Sequence, residues 1–382
     1  MRILVSPDKF KGSLSAGDAA SAIAEGWGTI FPQADFHLLP IADGGEGTAE
    51  IVCAARNGEW VDAKVPDPLG RPVKARYAMI DGPEGRTAVM EMSEASGLWR
   101  LKSEERDPWR ATTRGTGELM AHAIGESRAT RLIIGIGGSA TNDGGVGMAA
   151  ALGHRFLDAS DAEIEASPLG LRDLARIVAP AWKPPPVLVA CDVRNPLLGE
   201  RGATAIYGPQ KGVRPGDRAG LEQGLERLAD VTRECLGKDF RETPGAGAAG
   251  GLGFGLLSFC DAKLQPGFDL VSDLIGLEEA VRAADLILTG EGSLDGQTLE
   301  GKGPAGVAQL AKKHGKFVAA FAGRIAIDSE AEQKLRELFN AVIPLAPGPL
   351  SFDESVSRGR ELLRSAAARA ADWVKVGARI SS

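Results

Sequence analysis

Apolar residues fall along this chain in two rhythms, and the change between them gives the first outline of a fold. Arg2–Val5 is a short apolar run, and SPDKFKGSLS after it reads as a loop. Ala19, Ala20, Ile23 and Trp27 then recur with helical spacing, and Ser15 with Asp18 three residues on supplies a helix start. The pattern predicts a strand at 36–39, a turn at ADGGEG and a helix over 46–56. From residue 59 the rhythm changes. Segments 59–65, 73–80 and 86–92 read as strands separated by PDPLGRP and DGPEG, a meander rather than a βα alternation. Residues 132–136 form a fully apolar strand that runs into GGSATNDGGVG and a helix through 152. Another buried strand is expected at 187–191, then a long helix near 221–236 and the segment GAGAAGGLGFG. From 284 the βα alternation returns, with strands at 286–289, 317–321 and 342–345 and helices at 304–314 and 353–374.

These elements predict an α/β protein with a parallel Rossmann-like domain formed by both chain ends, residues 1–60 and 283–382. A mixed α+β domain is inserted at 61–282, and the active site is expected in the interdomain cleft. Composition narrows the function. Apolar and charged fractions of 43% and 25% are those of an ordinary globular chain. Glycine is the exception, with 50 in 382 residues, nearly twice the usual ~7%. Aromatic residues are scarce, so loops closing on a small ligand fit better than a base-stacking surface. A net charge of −7 excludes nucleic acid or an anionic membrane as the main partner. The four cysteines are scattered, no apolar stretch reaches membrane-span length, and MRILVSPDKF lacks a signal-peptide core, so a cytoplasmic enzyme is expected. The four histidines are too far apart for local zinc spacing.

The segment 135–147, GIGGSATNDGGVG, packs Ser139, Thr141, Asn142 and Asp143 among glycines between a strand and a helix. Backbone amides at such a turn suit an anion. Within it, Gly135-x-Gly137-x-x-Ala140 with Asp158 downstream also matches a dinucleotide fingerprint, which keeps open an NAD(P)-dependent oxidoreductase acting on a small hydroxy acid. Gly296-x-x-x-x-Gly301-Lys302 resembles a P-loop, but Gly303 stands where Ser or Thr should hold magnesium. The wider segment 290–303 still follows a strand and carries Glu291, Asp295 and Lys302. Lys9 and Lys11 follow the first strand, and Asp43 follows the second. Asp192 ends the apolar run VLVAC, where a carboxylate is costly unless it binds, caps or catalyses.

Taken together, SPDKFKGSLSA, ADGGEGT, GIGGSATNDGGVGMAAALG, CDVRNPLLG, YGPQKG, GAGAAGGLGFGL and TGEGSLDGQTLEGKGP resemble the glycerate kinase type 1 family, in its motif order, from the first strand to at least residue 323. The resemblance implies ATP-dependent phosphorylation of D-glycerate, in bacteria usually to 2-phosphoglycerate, by a two-domain α/β protein without a Walker motif. Individual roles rest on the chemistry of phosphoryl transfer, which needs positioning and charge neutralisation. Gly137, Gly138, Ser139, Asn142, Gly292, Ser293 and Lys302 are expected on the nucleotide phosphates. Lys9, as a catalytic charge, and Lys11 are expected on the transferred phosphoryl or the glycerate carboxylate. Asp143 and Asp295 are the candidate magnesium ligands, Asp43 is open to substrate or metal, and Asp192 is the expected base. A small-molecule-binding sensor is the non-enzymatic alternative. The sequence leaves oligomeric state open, a homodimer included.

Overall fold

The structure is a computed structural model that describes residues 1–83, 85–296, 303–326 and 329–380. In chain order it runs β1 (Arg2–Val5), α1 (Ala16–Gly28), β2 (Asp35–Leu38), α2 (Thr48–Ala55), β3 (Glu59–Pro66), β4 (Pro72–Gly82) and β5 (Gly85–Glu91). Next come α3 (Ser93–Ser96), α4 (Arg114–Gly125), β6 (Arg131–Gly135), α5 (Val146–Ala151), β7 (Arg155–Leu157), β8 (Arg176–Val178), β9 (Val187–Ala190), α6 (Ala203–Tyr207) and α7 (Arg218–Leu236). The rest is α8 (Ala248–Cys260), β10 (Lys263–Gln265), α9 (Gly267–Ile275), α10 (Leu277–Ala283), β11 (Leu286–Asp295) and α11 (Pro304–Lys313). The chain closes with β12 (Phe317–Ala326), α12 (Ser329–Leu338), β13 (Ala341–Pro344), α13 (Phe352–Ser357) and α14 (Gly359–Ile380).

Two compact units divide the chain, Met1–Asp43 with Phe268–Ser382 and Gly44–Gly267. The division falls at 43 and 267 where the sequence pattern suggested 60 and 282. Helix α2 lies against β4 and β5, so it is part of the central unit's packing.

In the unit built from both chain ends, five strands form an all-parallel sheet in the order β13-β12-β11-β1-β2. Ile3, Leu4 and Val5 are fully buried, which explains why β1 reads as an unbroken apolar run rather than an alternation. Helix α1 starts as its sequence predicts, with Ser15 Oγ accepting the Asp18 amide at 3.1 Å. It buries Ala19, Ala20, Ile23 and Trp27 in a core shared with Leu363, Ala366 and Ala367 of α14. The sheet holds one difference from expectation. Strand β11 does not stop at Thr289 but pairs with β12 through Asp295↔Ala326, so residues 290–295 are strand and not loop.

The central unit carries a mixed sheet in the order β10-β9-β6-β5-β4-β3. The meander supplies the antiparallel part, and β5, β6, β9 and β10 are mutually parallel. Met90, Leu132, Ile134, Val189, Leu228 and Phe254 lie in its core. The segment GAGAAGGLGFG enters α8, a helix with no charged residue that is buried over almost its whole length. Its glycines permit close backbone packing. Ala249, Gly250 and Gly251 all take left-handed φ, at 54°, 71° and 85°, and a Cβ on Gly250 would collide with the Thr141 carbonyl oxygen. Gly250→Ala therefore combines a left-handed strain with overpacking, worth about 2–4 kcal/mol. We expect a melting temperature lower by about 5–10 °C. A wild-type melting curve would show that the turn repacks freely.

Candidate functional site

In the end-built unit the chain winds from β1 to β2 on one side and from β11 through β12 to β13 on the other. The winding reverses between β1 and β11, and in open parallel sheets the carboxyl ends of such strands form the ligand crevice. Buried polar groups stitch that edge together. Ser6 Oγ donates to Leu39 O at 2.6 Å, and Thr289 Oγ1 donates to Ser6 O at 2.7 Å. The Asp8 amide bonds Gly290 O at 2.8 Å. Phe10 and Leu14 then close a tight turn over Gly292, where a Cβ would sit only 3.2 Å from the Lys11 amide. This puts Lys9 half-buried and Lys11 exposed at the edge, with Asp43, Ser293 and Asp295 half-buried around the same strand ends. Lys302 lies outside the described residues.

Asp8 was missed in the sequence, although it is the first carboxylate after an apolar strand. One of its oxygens accepts the Lys9 amide at 2.6 Å. The other faces Gly303, where a Cβ would lie 3.2 Å away. Burial, and then the neighbouring charge of Asp43, push the Asp8 carboxyl up to about 6. Gly303 is the N-cap of α11, and among the described residues no side chain caps that helix.

The central unit gathers a second set of groups at the carboxyl ends of β5, β6 and β9. In the 135–147 turn, Gly137 and Gly138 are exposed, and Ser139 lies just beneath them at 7% exposure. The turn is anchored by Leu98 N to Gly138 O at 2.8 Å and Ala140 N to Ser96 O at 3.0 Å. The deeper half faces inward. Asn142 is buried and donates to Thr204 Oγ1 at 3.0 Å, so the structure gives it a packing position rather than the expected nucleotide contact.

Asp143, expected as a magnesium ligand, is fully buried. One oxygen accepts the Thr113 amide and hydroxyl, each at 2.8 Å, together with Thr112 Oγ1 and the Gly147 amide at 3.2 Å. The other accepts the Gly145 amide at 3.1 Å. Burial raises its pKa and these donors oppose the rise. Its oxygens are already committed to the protein, which is the physical reason the metal assignment fails here.

Asp192 sits half-buried at the end of β9, and one oxygen accepts the amide of Gly267 at 2.8 Å. That is where the chain leaves the central unit. Glu91 is its counterpart at the end of β5 and was also missed. Its Oε1 accepts the Gly47 and Ala49 amides at 3.0 Å each, holding the start of α2. The signal that singled out Asp192, a carboxylate closing an apolar strand, was equally present in TAVME.

The dinucleotide fingerprint does not survive this geometry. Helix α5 begins only at Val146, outside the fingerprint, and Asp158 spends one oxygen on Ser160 N, Ser160 Oγ and Ala162 N. Among the described residues no group of three or more His, Cys, Asp or Glu side chains is arranged to hold a metal. No helix there is long and apolar enough to cross a membrane, and all four cysteines are free.

A glycine-rich α/β fold with carboxylates and lysines at a parallel-sheet switch point, and no Walker pattern in the sequence, is that of an α/β enzyme without a P-loop. The comparisons narrow that class: residues 3–375 match the glycerate kinase family, and the chain belongs to it. It is 44% identical over 380 residues to the glycerate kinase of Bacillus subtilis (strain 168), covering 98% of both chains. It is 46% identical over 332 residues to the glycerate 2-kinase of Escherichia coli (strain K12), covering 86% of each. A crystal structure assigned as glycerate kinase 2 from Salmonella typhimurium LT2 superposes with a TM-score of 0.88 at 40% identity, covering 99% of both chains.

The Asp8 environment yields a stability prediction. The folded protein holds the Asp8 proton up to about pH 6, against 3.8 for the ordinary carboxyl. Between those values the folded state binds more protons than the unfolded one. The group's contribution is therefore fully present below 3.8 and is lost as pH rises through 6. Asp8→Asn removes that loss. The ligand-free variant should be more stable at pH 8 by about 1–2 kcal/mol, discounted for partial exposure, and the gain should vanish toward pH 4. Thermal melts at both pH values decide it, and a destabilised variant at pH 8 would contradict the assigned environment.

Proposed function

We propose that this chain transfers the γ-phosphoryl group of ATP to D-glycerate, giving 2-phosphoglycerate, with magnesium assistance. What carries the reading is the Asp8, Asp43, Lys9 and Lys11 group at the β1/β11 switch point, in a chain of the glycerate kinase family. The chemistry needs positive charge for a carboxylate and a phosphoryl group, acceptors for hydroxyls, and backbone amides for phosphates. Lys9 and Lys11 supply the first, and Asp43 a hydroxyl acceptor. The exposed amides of Gly137 and Gly138, with Ser139, suit phosphate oxygens, as do Gly292 and Ser293 on β11. Lys302 keeps its expected phosphate role from sequence alone.

The donor set fits magnesium of the kind that takes one or two carboxylates and otherwise binds phosphate oxygens and water. No three-ligand cluster exists among the described residues, and Asp295 is the carboxylate we assign to the metal. Magnesium, when bound, neutralises phosphate charge. Asp8 is assigned to accept the glycerate hydroxyl proton, because a carboxyl raised to about 6 is matched to proton transfer near neutral pH. Asp192, the base expected from sequence, already holds the Gly267 amide and is assigned to keeping that crossing point in place. Similarity to the E. coli glycerate 2-kinase supports the choice of the 2-position. A cytoplasmic enzyme with small-molecule substrates and no nucleic-acid or membrane partner completes the proposal.

Purified protein with ATP, magnesium and D-glycerate should form 2-phosphoglycerate, read by phosphorus NMR. Formation of 3-phosphoglycerate would move the acceptor hydroxyl, and absence of transfer would remove the function. ATP with magnesium should raise the melting temperature by mass action, and NAD or NADP should not. Asp8→Asn should lower kcat by about 10²–10⁴ with little change in the KM for ATP. Asp192→Ala should stay within about tenfold in kcat while melting earlier, because the Gly267 amide loses its acceptor. The reverse ranking of the two variants would return the base to Asp192.

A further inference from the structure

Lys211 has no part in the chemistry above, yet it is one of the largest fully buried side chains in the protein, at 1% exposure. It ends a one-turn 3-10 helix, Pro209–Lys211, and its Nζ donates to the carbonyl oxygen of Thr141 at 2.7 Å. The segment that carries it grips the turn twice, because Thr204 takes the side-chain amide of Asn142. The 3-10 helix is tied back to the same segment through Lys211 N to Gly208 O and Gly208 N to Thr204 O. Thr141 Oγ1 and Asn142 Oδ1 are buried without a hydrogen-bond partner. The left-handed turn of Ala249–Gly251 closes on the other side of the Thr141 carbonyl. A buried ammonium, two orphaned oxygens and a run of strained backbone all converge on Thr141 and Asn142. Each is a cost to stability, and an apolar side chain of similar volume would serve packing better than a lysine.

We propose that Lys211 is a positioning residue for the 135–147 turn, its ammonium fixing the Thr141 carbonyl so that the exposed Gly137 and Gly138 amides keep the geometry that receives nucleotide phosphates. This rests on the reading that the turn takes those phosphates. The strained backbone behind Thr141 supports the carbonyl from one side and Lys211 holds it from the other. With the carbonyl held, the amides preceding it are fixed before a ligand arrives. Burial pulls the Lys211 pKa down to about 7, with Asp143 opposing, so keeping the proton near neutral pH carries a standing cost.

The test is Lys211→Met, compared with wild type for ATP protection, the two KM values, kcat and the ligand-free melting temperature. A charge-assisted hydrogen bond lost from a turn of this kind predicts a KM for ATP raised about 10–100-fold. The KM for D-glycerate should stay within about twofold, and the melting temperature should hold or rise because a buried charge is gone. An unchanged KM for ATP overturns the positioning role, as does a rise confined to the KM for D-glycerate. Wild-type protein without ATP protection would sink the phosphate reading itself, and this proposal with it.

If Lys211→Met does not fold, the unaltered protein gives the answer through its pH profile. Asp143 is the carboxylate facing Lys211. The flanking helices α6 and α8 bring only Tyr207, raised by burial, and Cys260, pushed up to about 12. Arg106 meets the 3-10 helix at the Gln210 carbonyl and stays charged. Because the folded state lowers the Lys211 pKa, this group adds stability as pH rises from 7 to 9. The KM for ATP should nevertheless rise severalfold over the same interval. A purely structural lysine predicts the stability change with a flat KM, and that result would overturn the proposal.

Discussion

Much of the central unit's functional face depends on keeping one carboxylate out of water. Asp143 is fully buried, and burying an unpaired carboxylate costs several kcal/mol. Its oxygens are therefore surrounded by donors from two places in the chain, the Thr112–Thr113 corner and the Gly145–Gly147 backbone. The arrangement welds the entry of α4 to the entry of α5. It also determines which part of the glycine turn can serve a ligand. Residues 141–143 are pulled inward, so Gly137 and Gly138 are left at the surface.

The end-built unit solves a different problem. Its parallel strands end in buried main-chain groups at the switch point, and Ser6 and Thr289 satisfy two of the carbonyls with short side-chain bonds. Asp8 is disfavoured as an anion by its burial and by Asp43. Such an arrangement is a poor use of residues for stability and a good one for handling a substrate proton, the exchange found wherever activity requires an unrelaxed environment. Burial works against the charge of both Asp143 and Asp8, but Asp143 is ringed by five donors, whereas Asp8 has the neighbouring charge of Asp43 against it.

How much of this was legible follows from where each partner lies in the sequence. The β1 strand, the Ser15 cap and the meander were readable because their signals are local. The chain-end sheet was readable too, since βα alternation breaks off and then resumes. The extension of β11 to Asp295 was not, because it depends on pairing with β12 some thirty residues later. The packing role of the glycine run in α8 was not legible either, because it is set by distant backbones such as Thr141 and Gly144. Asn142 and Asp143 looked like ligand contacts because polar residues among glycines usually face solvent, and their true partners, Thr204 and Thr113, lie far away in the chain. Asp8 and Glu91 carried the same strand-end signal as Asp192, which was applied to only one of the three.

The two places where the chain passes between units deserve to be considered together. Gly44 and Gly267 are the first and last residues of the central unit, and a Cβ on Gly44 would lie only 3.1 Å from the Cα of Gly267. A segment whose entry and exit nearly touch behaves toward its host like a short surface loop, however long it is. The host sheet therefore bears almost none of the entropy of ordering 224 residues, because closing a loop depends on the distance between its ends. Such a fold can be assembled historically by placing one domain into a connection of another, and it should tolerate being cut and rejoined at that seam. The same nearness leaves little slack at the seam itself: a bulkier residue at Gly44 would press on Ala190 of β9 and on Gly267 at once.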